Sequence, residues 1–138
     1  MPSLSTFSFT KLVVADLEAS ARFYTTVFGV REQTRVHAEI AGRPIDEILY
    51  EATGPGGATF ALLRYGDATA PSHEEVILGI VTSDLDGVVD RVGGAGGTVV
   101  QAPTAMPEQG VTVAFVTDLE GHLIEVVELL PAGPATNQ

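Results

Sequence analysis

A chain of 138 residues, 45% of them hydrophobic, is long enough to bury a core of its own, and the lack of cysteine excludes disulfide staples, thiolate metal ligands and a cysteine nucleophile. Seven basic against eighteen acidic residues give a net charge of −11, which argues against a nucleic-acid partner, because a polyanion is bound by Lys and Arg that displace its counterions. The opening MPSLSTFSFT lacks the basic-then-apolar order of a secretory signal, and the longest apolar run, Val76 to Val81, is far shorter than the about 18 residues of a spanning helix, so a cytoplasmic protein with no membrane partner is expected.

In chain order, the β-branched run Leu12 to Val14 meets Asp16, a good helix N-cap, with Glu18 at the positive end of the helix dipole. The spacing of Leu17, Ala21, Tyr24 and Phe28 predicts a helix over residues 17–28 that Gly29 ends. Strands are expected over 31–40, 45–52 and 59–65, divided by the turn compositions at 41–44 and 54–57. Residues 66–74 read as a connection.

The pattern then repeats. Ser83-Asp84-Leu85-Asp86 matches Ala15-Asp16-Leu17-Glu18 at a shift of 68 residues, which also carries Val13 onto Val81 and Gly29 onto Gly97. A strand over 77–81, a helix over 85–92, and strands over 98–101, 111–117 and 122–130 follow, with a proline-containing loop at 103–110, a tight turn at 118–121 and a polar tail at 131–138. The glycines at 93, 94, 96 and 97 follow a helix instead of opening one, so they read as a turn and not as a phosphate cradle. The serines show no nucleophile elbow. Each half therefore reads βαβββ, an α+β fold.

Three segments carry a family resemblance. Leu12 to Gly29, with Asp16 and the helical Phe23-Tyr24; Asp84-Leu-Asp86 to Gly96-Gly97-Thr98; and Phe115-Val-Thr-Asp118-Leu-Glu-Gly121-His-Leu-Ile124-Glu125, with Leu119 where proline is usual, together resemble the glyoxalase / bleomycin-resistance / extradiol-dioxygenase (vicinal oxygen chelate) superfamily. The resemblance implies a single domain over 1–138, with one module at about 7–65 and a second at about 75–130. The two modules would form a curved mixed β-sheet around a cavity, with the helices outside. It also implies a homodimer.

Metal-dependent members hold their ligands on the first and last strands of each module. By motif spacing those places fall at Phe9, Ala61, Ile77 and Glu125, and Phe, Ala and Ile offer no lone pair, so neither a metal nor another cofactor is expected. His37, His73 and His122 stand apart from those places and are not expected to join a metal site. Alternation along the strands adds Lys11 and Tyr65 to the cavity face. The third strand is open in phase: either Asp46, Ile48 and Tyr50 or Glu47, Leu49 and Glu51 look inward.

The expected ligand-binding set is Phe9, Lys11, Tyr50, Ala61, Tyr65, Ile77 and Glu125, of which Glu125 is the candidate catalytic residue. A carboxylate among apolar neighbours can act as general base, or anchor a cationic or hydroxyl-bearing ligand. Three functions stay open. They are metal-independent binding of a small organic molecule, a metal-independent isomerase, lyase or cyclase using Glu125, and a metal-dependent glyoxalase-like lyase if the ligand places are misaligned.

Overall fold

The computed structural model describes residues 8–40, 42–67 and 76–131. His73, most of the 66–74 connection and nearly all of the 131–138 tail lie outside them. The chain forms two compact units, residues 1–72 and 73–138. The first contains β1 (Phe9–Val13), α1 (Leu17–Phe28), β2 (Glu32–Ile40), β3 (Arg43–Tyr50) and β4 (Thr59–Tyr65). The second contains β5 (Ile77–Val81), α2 (Leu85–Gly94), β6 (Thr98–Met106), β7 (Val111–Thr117) and β8 (Leu123–Leu129). Each unit is thus a βαβββ module, α+β throughout. No helix of the described residues is long and apolar enough to cross a membrane.

The two sheets have the same topology. Strand order is β1-β4-β3-β2 in one and β5-β8-β7-β6 in the other, with the β1–β4 and β5–β8 pairs parallel and the rest antiparallel. A parallel pair needs a crossover connection, and in each unit the helix lies in it.

Both helices start where an aspartate is available. Asp16 accepts a hydrogen bond from the Ala19 N–H at 3.0 Å and Asp84 one from the Gly87 N–H at 3.1 Å. Glu128, on β8, adds a second cap by accepting from the Leu85 N–H at 2.7 Å. Helix α1 ends at Gly29, whose φ of 70° is left-handed and is reached without strain only by a residue lacking Cβ.

The buried stripe of α1 is Leu17, Ser20, Ala21, Phe23, Tyr24 and Val27, wider than the spacing predicted, and Phe28 is only half-buried. It packs on β4 through an aromatic group in which Phe60 lies 5.3 Å from Tyr24 and 5.8 Å from Tyr50 between ring centroids. In the second unit Leu85, Val88 and Val92 of α2 cover a sheet face that buries Ala114, Val116, Ile124 and Val126.

Several boundaries differ from expectation: β2 begins at Glu32, β3 ends at Tyr50, and α2 runs on through Gly93 to Gly94, so these two glycines close the helix instead of following it. Strand β3 begins at Arg43, because Ile40 and Arg43 pair directly across a tight turn through Gly42, whose φ is 81°. Strand β6 runs on to Met106, through Pro103. It is an edge strand whose register shifts between Gln101 and Thr104, so the missing proline N–H costs no ladder bond.

Candidate functional site

Sheet register fixes which side chains share a face. In the first unit Lys11 is paired with Ala61, Leu49 with Ala61 and Glu47 with Leu63, so Lys11, Ala61, Glu47 and Leu49 all stand on the face away from α1. Asp46, Ile48 and Tyr50 point to the helix side. The open phase of the third strand is therefore Glu47 and Leu49. Glu51 lies beyond the end of β3.

On that face Lys11 Nζ donates to Glu47 Oε2 at 2.9 Å. The two groups are unequal in burial: the side chain of Glu47 is 8% exposed and that of Lys11 33%. The lysine ammonium also lies 5.9 Å from the centroid of the Phe9 ring. Around this pair is a cleft of about 280 Å³, whose lining includes Phe9, Lys11, Gln33, Glu47, Leu49 and Ala61. Its walls are mainly apolar with a few convergent polar groups, the usual make-up of a small-molecule site.

Four of the predicted site residues, Phe9, Lys11, Tyr50 and Ala61, border this cleft. Tyr50 does so from the core: it is 1% exposed and its ring stacks on Phe60. Burial pushes its phenol up to about 12 from 10.0. Among the described residues the hydroxyl has no hydrogen-bond partner. A raised folded pKa favours the protonated form, so this contribution to stability is complete below pH 10 and is lost as pH rises through about 12. Tyr50→Phe is expected to unfold less readily than the parent across that window and to match or slightly exceed it at pH 7; urea midpoints measured from pH 7 to 12 check this.

Tyr65 stands elsewhere. At the far end of β4 its ring is covered by the Arg43 guanidinium, 3.7 Å from the ring centroid, and Arg43 is held by both oxygens of Asp67.

Ile77 and Glu125 belong to the second unit. Register places Gly79 and Phe115 beside Glu125, and Ile77 beside Leu123, all on the face away from α2. The Lys11–Ala61 pair of β1 and β4 is thus the counterpart of the Gly79–Glu125 pair of β5 and β8. Ala61 and Glu125 occupy the same place in their two sheets. Glu125 is half-buried, and among the described residues no ion pair or hydrogen bond reaches its carboxylate.

Of the four places where the resemblance implies ligands, three carry Phe9, Ala61 and Ile77, and Glu47 is taken up by a lysine ammonium. Among the described residues no three His, Asp or Glu side chains come together as a metal-binding group.

A larger cleft of about 600 Å³ lies on the α1 side of the first sheet, bordered by Asp16, Glu18, Arg35, His37, Asp46 and Arg64 among others. Its charges compensate one another. Arg35 pairs with Glu18 and Glu32, and Asp46 accepts from His37 Nδ1 at 2.7 Å and from Arg64 at 3.1 Å. The hydrogen bond from His37 holds the Asp46 carboxyl below the usual carboxylate range, with Arg64 adding to it.

His122, just before β8, is buried. It is 4% exposed, and its Nδ1 donates to Asp118 Oδ2 at 2.8 Å, while Asp118 Oδ1 accepts from the backbone N–H groups of Glu120 and His122.

The sequence missed Gln33 as part of the first cleft and offered Glu47 only as one of two open phases. Glu47 had a signal, the polar pair Asp46-Glu47, but alternation alone left both phases open.

The model of the Glyoxalase/Bleomycin resistance protein/Dioxygenase superfamily matches residues 6–126. A lactoylglutathione lyase of Arabidopsis thaliana is 29% identical over 126 residues, covering 86% of this chain; the chain spans 42% of that protein's length. The structure of a glyoxalase family protein from Bacillus cereus superposes with a TM-score of 0.79 at 18% identity, over 94% of this chain and 97% of that one. A glyoxalase-related enzyme from Fulvimarina pelagi superposes with a TM-score of 0.65 at 25% identity, over 91% of this chain and 88% of that one. The chain belongs to the Glyoxalase/Bleomycin resistance protein/Dioxygenase superfamily.

Proposed function

We propose that this protein binds a small organic molecule without a metal, in the cleft of the first unit, with the Lys11–Glu47 pair as its polar anchor. The observation that carries the reading is the make-up of that cleft: an ion pair with one member buried, set among Phe9, Leu49 and Ala61, two of which stand where the family resemblance implies metal ligands. A pair already neutralised by its own chain favours ligands with hydrogen-bonding groups and an apolar body. The homodimer implied by the resemblance belongs to this reading, and a monomer mass in sedimentation would remove it.

The test uses 8-anilino-1-naphthalenesulfonate as probe. Protein dialysed against EDTA is expected to bind it saturably. Phe9→Asp is expected to weaken binding about tenfold, since Phe9 is 66% exposed and its loss spares the core. Binding that disappears with EDTA and returns with zinc or nickel would restore the metal-dependent lyase reading.

A second reading, a metal-independent isomerase, lyase or cyclase with Glu125 as general base, is favoured by the half-buried carboxylate that no described cation neutralises. On a carbonyl compound found to be turned over, Glu125→Gln is expected to abolish turnover and leave binding largely intact. Unchanged turnover excludes it.

A further inference from the structure

We infer that the Glu125 face of the second unit is a subsite for a protonated amine carried on an apolar body. Naming the charge of the ligand in this way presupposes the small-molecule reading above.

The first observation is the distribution of charge. Residues 73–138 hold ten Asp and Glu against one basic residue, Arg91, whereas residues 1–72 hold eight against six. The net negative charge of the protein therefore sits almost entirely in the second unit, where it raises the local concentration of cations. Arg91 is on α2, which covers the opposite face of the sheet from Glu125.

The second observation comes from the duplication itself. In the first unit the place next to Ala61 is Lys11, whose ammonium neutralises the buried acid Glu47. In the second unit the corresponding place is Gly79, and the acid Glu125 is its direct neighbour. Among the described residues, no heavy atom outside its chain neighbours lies within 4 Å of where a Cβ on Gly79 would stand. Where one unit supplies an ammonium from its own chain, the other supplies open space beside a carboxylate. A ligand ammonium can take there the part that the lysine takes in the first unit.

The surroundings specify the rest of the ligand. Phe115 stands across from Glu125 on β7, suited to a cation–π contact, and Leu123, Val127, Ile77 and Val81 complete the face, the last two 57% and 72% exposed. A hydrophilic cation such as ammonium itself would leave that apolar surface in water, so the class is an arylalkyl or alkyl ammonium.

The experiment titrates the intact protein with phenethylammonium, 2-phenylethanol and phenylacetate at pH 7, followed by calorimetry and by the methyl resonances of Leu123 and Val127. The ammonium is expected to bind at least tenfold more tightly than either isostere and to shift those methyls. Glu125→Gln and Gly79→Lys are each expected to weaken it at least tenfold, the second by building the ion pair of the first unit into the second. Circular dichroism checks that both variants fold, and Gly79→Lys places its side chain in open space. Equal binding of the alcohol, unchanged binding in both variants, or no saturable binding of the ammonium overturns the inference. If the ammonium fails while the naphthalenesulfonate probe still binds, only the cation subsite falls; if the probe fails as well, the small-molecule reading falls with it.

Discussion

Asp118→Ala is expected to cost about 3–5 kcal/mol and to lower the melting temperature by roughly 10–15 °C. Asp118 is 2% exposed, and its side chain adds three hydrogen bonds to the two backbone bonds that close the β7–β8 turn. Oδ1 accepts from the N–H groups of Glu120 at 2.9 Å and His122 at 3.0 Å, and Oδ2 from the His122 ring at 2.8 Å. Alanine leaves these donors without their acceptor, and the His122 pair cannot turn to water because it is buried. Each stranded buried donor costs about 1–3 kcal/mol, a large share of the about 5–15 kcal/mol of a whole domain. Asp118→Asn keeps an amide oxygen for the backbone donors and is expected to lose less than half as much. Thermal denaturation of both variants checks this. An alanine variant within about 1 kcal/mol of the parent would show that the turn is held by other contacts.

The second large effect is unequal across an ion pair. Lys11→Met is expected to cost about 2–3 kcal/mol, and Glu47→Leu only about 1 kcal/mol. Removing the lysine strands a carboxylate that is 8% exposed, whereas removing the glutamate strands an ammonium that is 33% exposed and sits on a long stem able to reach water. The double variant removes both charges from an apolar surrounding and is expected to return to within about 1 kcal/mol of the parent, because the desolvation cost of the pair goes with it. A urea double-mutant cycle measures the coupling. Equal single costs that simply add would mean that the pair is a surface contact of little worth. The same variants separate folding from binding, since Lys11→Met/Glu47→Leu keeps the fold and loses the polar anchor of the cleft.

The sequence by itself determined most of the frame. Aspartates at 16 and 84 ahead of apolar stripes, and a glycine at 29, mark helix ends through local hydrogen bonding and left-handed backbone, so they are readable without any tertiary contact. The repeat at 68 residues set the equivalence of the two modules, and the family resemblance then put its ligand places at Phe9, Ala61, Ile77 and Glu125, three of which carry side chains without a lone pair. Pro103 predicts an end to the strand before it, since proline breaks strands everywhere except at an irregular edge, and only the sheet order makes β6 an edge. The segment Asp46-Glu47-Ile48-Leu49-Tyr50-Glu51 carries polar and apolar residues in both phases, so alternation could not choose between them. Pairing of Leu49 with Ala61 and of Glu47 with Leu63 made the choice. That register turned Tyr50 into the core and brought Glu47 within 2.9 Å of Lys11, 36 residues away in the chain. A contact of that kind is set by which strands become neighbours, a property of the folded sheet that no local pattern encodes.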